Sequence, residues 1–159
     1  MAARTILLVH GPNLNLLGMR DAEQYGTRTL SDIEKLVAGE AGKSGFDIKV
    51  FQSNHEGALI DWIQQESPKA VGLIINPGAL THYSYALHDA LVDTALPCIE
   101  VHLSELNARE EWRRISVTAP ACIGVISGKK EKGYMGALKM LISKLPARRS
   151  LGAGGEAGS

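Results

Sequence analysis

The sequence is poor in cysteine and in aromatic residues, and it has no charge excess and no long apolar run. Two cysteines, Cys98 and Cys122, occur in 159 residues. Neither belongs to a CxxC or a zinc-ligand spacing, which argues against a disulfide framework and a structural zinc site. Both lie in apolar runs, LPCIEV and ACIGVI, where packing is the expected role. Lys+Arg and Asp+Glu number 17 each, for a formal net charge of +0. That balance argues against a nucleic-acid partner bound by bulk charge. The opening MAARTILLVHGPN holds only a short apolar run before Pro12, too short for a signal-peptide core or a membrane span. The setting expected is reduced and cytoplasmic, with no membrane partner.

What is present is an ordinary globular composition, 45% hydrophobic and 21% charged. A chain of this size builds a core without staples. Short aliphatic runs followed by Gly/Pro/Asn turns and helical patterns recur along it, which reads as α/β with a parallel sheet. The expected strands are Thr5–His10, Asp47–Gln52, Ala70–Ile75, Cys98–His102 and Ala121–Ser127. The first helix is expected from Thr29 or Ser31, with Ser31-Asp32-Ile33-Glu34 as a capping box, Ile33, Leu36, Val37 and Ala41 as the apolar stripe, and Gly45 as the stop. Further helices are expected over Gly57–Gln65, Tyr83–Thr94 (burying Ala86, Leu87, Ala90 and Leu91), Ala108–Trp112 and Tyr134–Leu145. The fold class is α/β: a single flavodoxin-like, doubly wound domain with a five-stranded parallel sheet over residues 1–146. Residues 147–159, ARRSLGAGGEAGS, lack periodicity and read as a flexible Gly-rich tail.

In such a sheet, ligands bind beyond the carboxyl ends of the strands, at the switch in strand order. The polar residues follow that rule. GPNLN follows strand one, SNHEG strand two and NPG strand three, and His102-Leu103-Ser104 closes strand four. Asn13 and Asn76 offer neutral hydrogen-bonding groups, the backbone N–H groups of Leu103 and Ser104 suit a carboxylate, and His102 is an acid or base near neutral pH. The ligand expected is small, hydroxylated and anionic. Between strand one and the first helix, the glycine-bracketed segment Gly18–Gly26 reads as a lid carrying Arg20 and Tyr25. Free tyrosine titrates near 10, so Tyr25 serves as a base only beside a cation, and Arg20 is the cation at hand.

GPNLNLLG, the Arg20/Tyr25 lid, QSNHEGALIDWI, INPGALTHYSYALHDAL and IEVHLSELNAREEWR together closely resemble the type II 3-dehydroquinate dehydratases, from about Ile6 to Leu145. The resemblance implies anti elimination of water from 3-dehydroquinate through an enolate, giving 3-dehydroshikimate without metal or organic cofactor. It implies service in the shikimate pathway or in quinate breakdown. Tyr25 would take the proton and His102 would protonate the departing hydroxyl. Arg20 would favour the phenolate, with Arg109 a second candidate, Asn13 would stabilise the enolate, and Glu100 would orient or tune His102. Substrate binding would fall to Asn76, His82, Leu103, Ser104 and Arg113. Asp89 matches the position by which a neighbouring subunit reaches the site, and the family implies a dodecamer built from trimers. His10, Leu80 and Asn107 depart from the family pattern.

Plainer readings compete. Tyr25 alone could be an exposed loop aromatic, His102 a core histidine, and Arg109–Arg114 a solvated face. His55-Glu56 lacks the second histidine of HExxH, so Asn54-His55-Glu56 reads as a structural turn and subunit contact. Gly124–Lys130 misses the nucleotide-loop spacing, and Ser127–Gly133 reads as a solvent-exposed turn. On fold alone, a non-catalytic small-molecule or flavin-binding module is the alternative.

Overall fold

The computed structural model describes residues 4–146. The tail expected at 147–159 lies outside the described residues. In chain order the elements are β1 (Arg4–His10), α1 (Ala22–Tyr25), α2 (Leu30–Lys43), β2 (Phe46–Gln52), α3 (Glu56–Glu66), β3 (Gly72–Asn76), α4 (Tyr85–Asp93), β4 (Cys98–Val101), β5 (Gly124–Ile126) and α5 (Lys132–Lys144). The five strands form one parallel sheet in the order β2-β1-β3-β4-β5. Strand order reverses between β1 and β3, which fixes the edge where a ligand site belongs.

The apolar runs become strands because both faces of the sheet are covered, and successive side chains point to opposite faces. Ile6 and Leu8 of β1, Ile74 of β3, and Ile99 and Val101 of β4 pack with Ile33, Val37 and Ala41 of α2 and Tyr134, Leu138 and Leu141 of α5. The alternate residues Leu7, Val9, Leu73, Ile75 and Cys98 pack with Leu59 and Ile63 of α3 and Leu87 and Leu91 of α4. Each of the valines, leucines and isoleucines among them contributes roughly 1.5–3 kcal/mol by leaving water. Cys122 Sγ lies 3.5 Å from Cys98 Sγ, both thiols being free, so the two cysteines do pack, against each other.

Several boundaries differ from the sequence expectation. The capping box at α2 is made by Thr29 and Asp32, with Thr29 N donating to Asp32 Oδ2 at 3.0 Å and Asp32 N to Thr29 Oγ1 at 3.1 Å. Ser31 is inside the helix, and Leu36 is 41% exposed because the buried face follows the i, i+4, i+8 line of Ile33, Val37 and Ala41. Gly45 ends the helix with φ +80. α4 starts two residues later than expected, capped by Ser84, whose Oγ accepts from Leu87 N at 3.0 Å. A 3-10 turn over Gly78–His82 precedes it, and Ala86 faces outward. No helix forms over Ala108–Trp112, where two 3-10 turns, Leu106–Ala108 and Glu111–Arg113, replace it. β5 is only Gly124–Ile126, since Ala119–Ala121 is a 3-10 turn around Pro120, which lacks the N–H a sheet ladder needs. Among the described residues, no helix is long and apolar enough to cross a membrane.

Candidate active site

At the carboxyl edge of the sheet, two loops meet backbone to backbone. Gly11 N donates to Asn76 O at 2.7 Å, and a Cβ at Gly11 would overlap the carbonyl of Pro77. From the other side, Gly78 has φ +59, and a Cβ there would stand 2.9 Å from Pro12 O. Only glycine fits both positions, and together they hold Asn13 and Asn76 side by side.

Each asparagine is braced. Asn13 has the left-handed φ of 70 that asparagine tolerates, and its N–H donates to Asn54 Oδ1 at 2.9 Å. Gln52 Nε2 donates to the same oxygen at 3.1 Å. Asn76 donates through Nδ2 to the buried Tyr134 hydroxyl at 3.2 Å and accepts at Oδ1 from Gly78 N at 3.1 Å. One amide proton of Asn76 is left for a ligand. Burial, only partly offset by Asn76, pushes the Tyr134 hydroxyl well above its ordinary value, so this partner stays neutral.

The cleft above this floor is about 110 Å³ and is lined by Asn13, Arg20, Tyr25, Asn76, His82 and His102, together with Leu103, Ser104, Arg109 and Arg113. Arg20 Cζ lies 3.7 Å from the Tyr25 ring centre and Arg109 Cζ 5.3 Å from it. Tyr25 belongs to α1, the lid's short helix, which Asp21 caps by accepting from Glu23 N at 3.0 Å. Arg109 also donates through Nη1 to Ser104 Oγ at 3.2 Å. Leu103 and Ser104 are fixed by their carbonyls, which accept from Lys130 N at 3.0 Å and Gly128 N at 3.1 Å.

His102 and Glu100 stand two residues apart at the end of β4, on one strand face, both buried. His102 Nε2 is 3.2 Å from Glu100 Oε2. That is ion-pair distance without an aligned hydrogen bond, and Nε2 has no other partner among the described residues. Burial would raise the Glu100 carboxyl, but the adjoining His102 ring and then the Thr118 and Thr81 hydroxyls outweigh it and hold the carboxyl below its ordinary value. His82 Nδ1 bonds Ile115 O at 2.7 Å; since a carbonyl can only accept, Nδ1 carries the proton. Burial lowers His82's affinity for a second proton, the Ile115 carbonyl opposes that, and the neighbouring His102 and Arg113 lower it further against the Glu100 carboxylate, so a neutral ring is favoured. Arg113 donates from Nε to Glu110 Oε2 at 2.6 Å and stacks on Trp112, which meets His82 edge-on at 5.2 Å.

Every residue expected in the site from the sequence lines this cleft or, like Glu100, stands directly behind it, with one exception. Asp89 is on α4 with its side chain 77% exposed, 3.0 Å from His88 Nδ1 and away from the cleft. Arg109, singled out from the sequence only as a second candidate, lines the cleft and touches both Ser104 and the Tyr25 surroundings. Sequence reasoning missed Ala79 and Leu106 in the lining, and the roles of Asn54 and Tyr134 behind it. Asn54 was legible only as a turn residue, and its brace on Asn13 is an added role. Of the departures, Leu80 is core, Asn107 is exposed, and His10 is buried 3.4 Å from Glu34 Oε1 with its ring 6.1 Å from that of Tyr134. Among the described residues, no group of His, Cys, Asp and Glu is arranged to hold a metal ion.

Comparison with known proteins agrees with this geometry. A 3-dehydroquinate dehydratase of Clostridium acetobutylicum is 49% identical over 142 residues, spanning 87% of this chain and 99% of the relative. One from Thermus thermophilus is 49% identical over 141 residues, spanning 88% and 95%. The crystal structure of a type II dehydroquinase from Butyrivibrio crossotus superposes with a TM-score of 0.86 at 44% identity, covering 89% of this chain and 99% of that one. Residues 4–142 match the family model described as Dehydroquinase class II, and the chain belongs to that family.

Proposed function

We propose that this protein is a hydro-lyase that converts 3-dehydroquinate to 3-dehydroshikimate by anti elimination through an enolate. The observation that carries the mechanism is the placing of Tyr25, flanked by two guanidinium groups, in the same cleft as the buried Glu100–His102 pair. A proton next to a ketone is weakly acidic, so removing it takes both a base and a group that stabilises the oxyanion as it develops.

Tyr25, as phenolate beside Arg20 and Arg109, takes that proton, and the electron pair moves onto the ketone oxygen as an enolate. Asn13, exposed in the cleft and held by Asn54, stabilises the enolate through an ordered water. When the enolate collapses, the bond to the departing hydroxyl breaks, and His102 supplies the proton that makes it water. Since Nε2 faces Glu100, Nδ1 is the nitrogen left to deliver that proton. Asn76, His82, Leu103, Ser104 and Arg113 bind the hydroxyl and carboxylate groups, and the chemistry needs no metal or organic cofactor. Asp89, exposed on α4, reaches the site of a neighbouring copy in a homo-oligomer, a dodecamer built from trimers.

The test is to mix the protein with 3-dehydroquinate and follow the ultraviolet absorbance of the conjugated enone carboxylate, with and without chelator. Absorbance that rises in proportion to enzyme and is indifferent to chelator is the expected result. A folded sample giving no absorbance change overturns the reading.

A further inference from the structure

Glu100 is fully buried, and its carboxylate is gripped by more than His102. Thr81 Oγ1 donates to Oε1 at 2.9 Å, Ser116 Oγ donates to Oε2 at 2.9 Å, and Thr118 Oγ1 donates to Oε1. The three hydroxyls also touch one another, Thr81 with Ser116 at 2.7 Å and with Thr118 at 2.8 Å. Three hydroxyls carry three protons for five close contacts, so each proton goes to Glu100 directly or is shared through Thr81, and an ionised carboxylate is the acceptor on which every such route ends. Ser116 and Thr118 come from a segment that also ties Val117 N to Thr81 O at 2.7 Å and presents Ile115 O to His82 Nδ1. Four consecutive residues, 115–118, therefore touch the supports of both histidines in the cleft.

We propose that Ile115–Thr118, with Thr81, is a positioning strap: its hydroxyls keep Glu100 fixed and ionised behind His102, and its Ile115 carbonyl sets the tautomer of His82. Thr81, Ser116 and Thr118 are thus positioning residues for turnover, acting through Glu100. The inference rests on the reading of His102 as the acid. A carboxylate loses force on an imidazole once it is protonated or swings away, and in a dry site each lost charge-assisted hydrogen bond favours both changes. The titratable groups facing Glu100 are His102 and Cys98 on its own strand and His82 from the Gly78–His82 turn, with Arg113 beyond His82.

The experiment compares wild type with Thr118→Val, Ser116→Ala and Thr118→Ser. Two quantities are read: the pH dependence of kcat, and the pH at which the Glu100 carboxyl protonates, followed by infrared difference spectroscopy with Glu100→Gln as the band assignment. Removing one hydroxyl should raise the carboxyl's protonation by about one pH unit, the equivalent of one charge-assisted hydrogen bond. The acidic limb of kcat should move the same way while KM stays within about twofold. Thr118→Ser should restore both. Ser116 is only partly buried, so Ser116→Ala carries the test if Thr118→Val fails to fold. Unchanged infrared and kinetic profiles in both hydroxyl-lacking variants overturn the strap. A shifted carboxyl with an unmoved kcat profile overturns its part in turnover. His102→Gln then separates the causes: near-wild-type kcat in that variant means the acid assignment has failed as well, and a large loss means the strap alone has.

Discussion

The guanidinium carbon of Arg20 stands 3.7 Å from the centre of the Tyr25 ring, so the lid brings its own cation to its own tyrosine. A planar guanidinium stacks on a ring as a lysine ammonium does not. Arg20→Ala should lower kcat by about 10²-fold, the size of losing one preorganised electrostatic contact. Arg20→Lys should recover only part of it. Steady-state kinetics of the two variants check this, and equal rates in Arg20→Lys and wild type would rule out a role for the stack.

Tyr25→Phe keeps the ring and its stacking but loses the group assigned as base. Turnover should fall by about 10²–10⁴-fold, the range typical of a positioned acid or base, while a substrate analogue still binds. Calorimetry beside the absorbance assay separates the two effects; turnover close to wild type would remove Tyr25 as the base.

Glu100 should show itself in acid stability. Its carboxyl is held below the ordinary value near 4.5 in the folded protein, so the unfolded chain takes up that proton first as pH falls. The stability this group contributes is complete above that ordinary value and is lost as pH falls through the lowered, folded one. Thermal unfolding of Glu100→Gln between about pH 3 and 7 should therefore have a flatter acid side than wild type. Identical pH slopes would contradict the lowered carboxyl.

Tyr134→Phe removes the acceptor of Asn76 Nδ2 and leaves a buried donor unpaired, at a cost of about 1–3 kcal/mol. With the amide free to turn, KM should rise more than kcat falls. A lowered Tm with unchanged KM would mean that Tyr134 supports the core alone.

Gly78→Ala forces a side chain into the left-handed region and towards Pro12 O. The strain should cost about 1–3 kcal/mol and misplace Asn76 with it. Thermal unfolding and KM read together test the point.

Much of this was legible in the sequence where local chemistry decides structure. β1 and β3 carry unbroken apolar runs, Ile6–Val9 and Leu73–Ile75, of the kind a doubly covered strand needs, and Gly45 stops α2 as its position suggests. The sequence leaves the start of α2 open between Thr29 and Ser31, because Thr29-Leu30-Ser31-Asp32 and Ser31-Asp32-Ile33-Glu34 both satisfy the pattern; burial of Ile33, Val37 and Ala41 chooses the earlier start and moves the capping box to Thr29. Ala108–Trp112 fails as a helix because it is too short to repay nucleation and has no buried stripe, and because Arg109 and Arg113 turn to the cleft. The cleft's ends could be read from strand-end motifs, but its backing could not. Asn76 and Tyr134 are 58 residues apart, and Thr81 and Thr118 are 37 apart, so only the closed sheet brings them together.

The crossing of Gly11 and Gly78 has a bearing on inhibitor chemistry. With no side chain between the two turns, the surface carrying Asn13 and Asn76 moves as one piece and has little give. Bulk added to a ligand on that side meets main chain. The Gly18–Gly26 segment is bounded by glycines and meets the cleft through Tyr25 and the long, rotatable Arg20 side chain, so substituents that gain affinity should project there and hold Arg20 and Tyr25 apart.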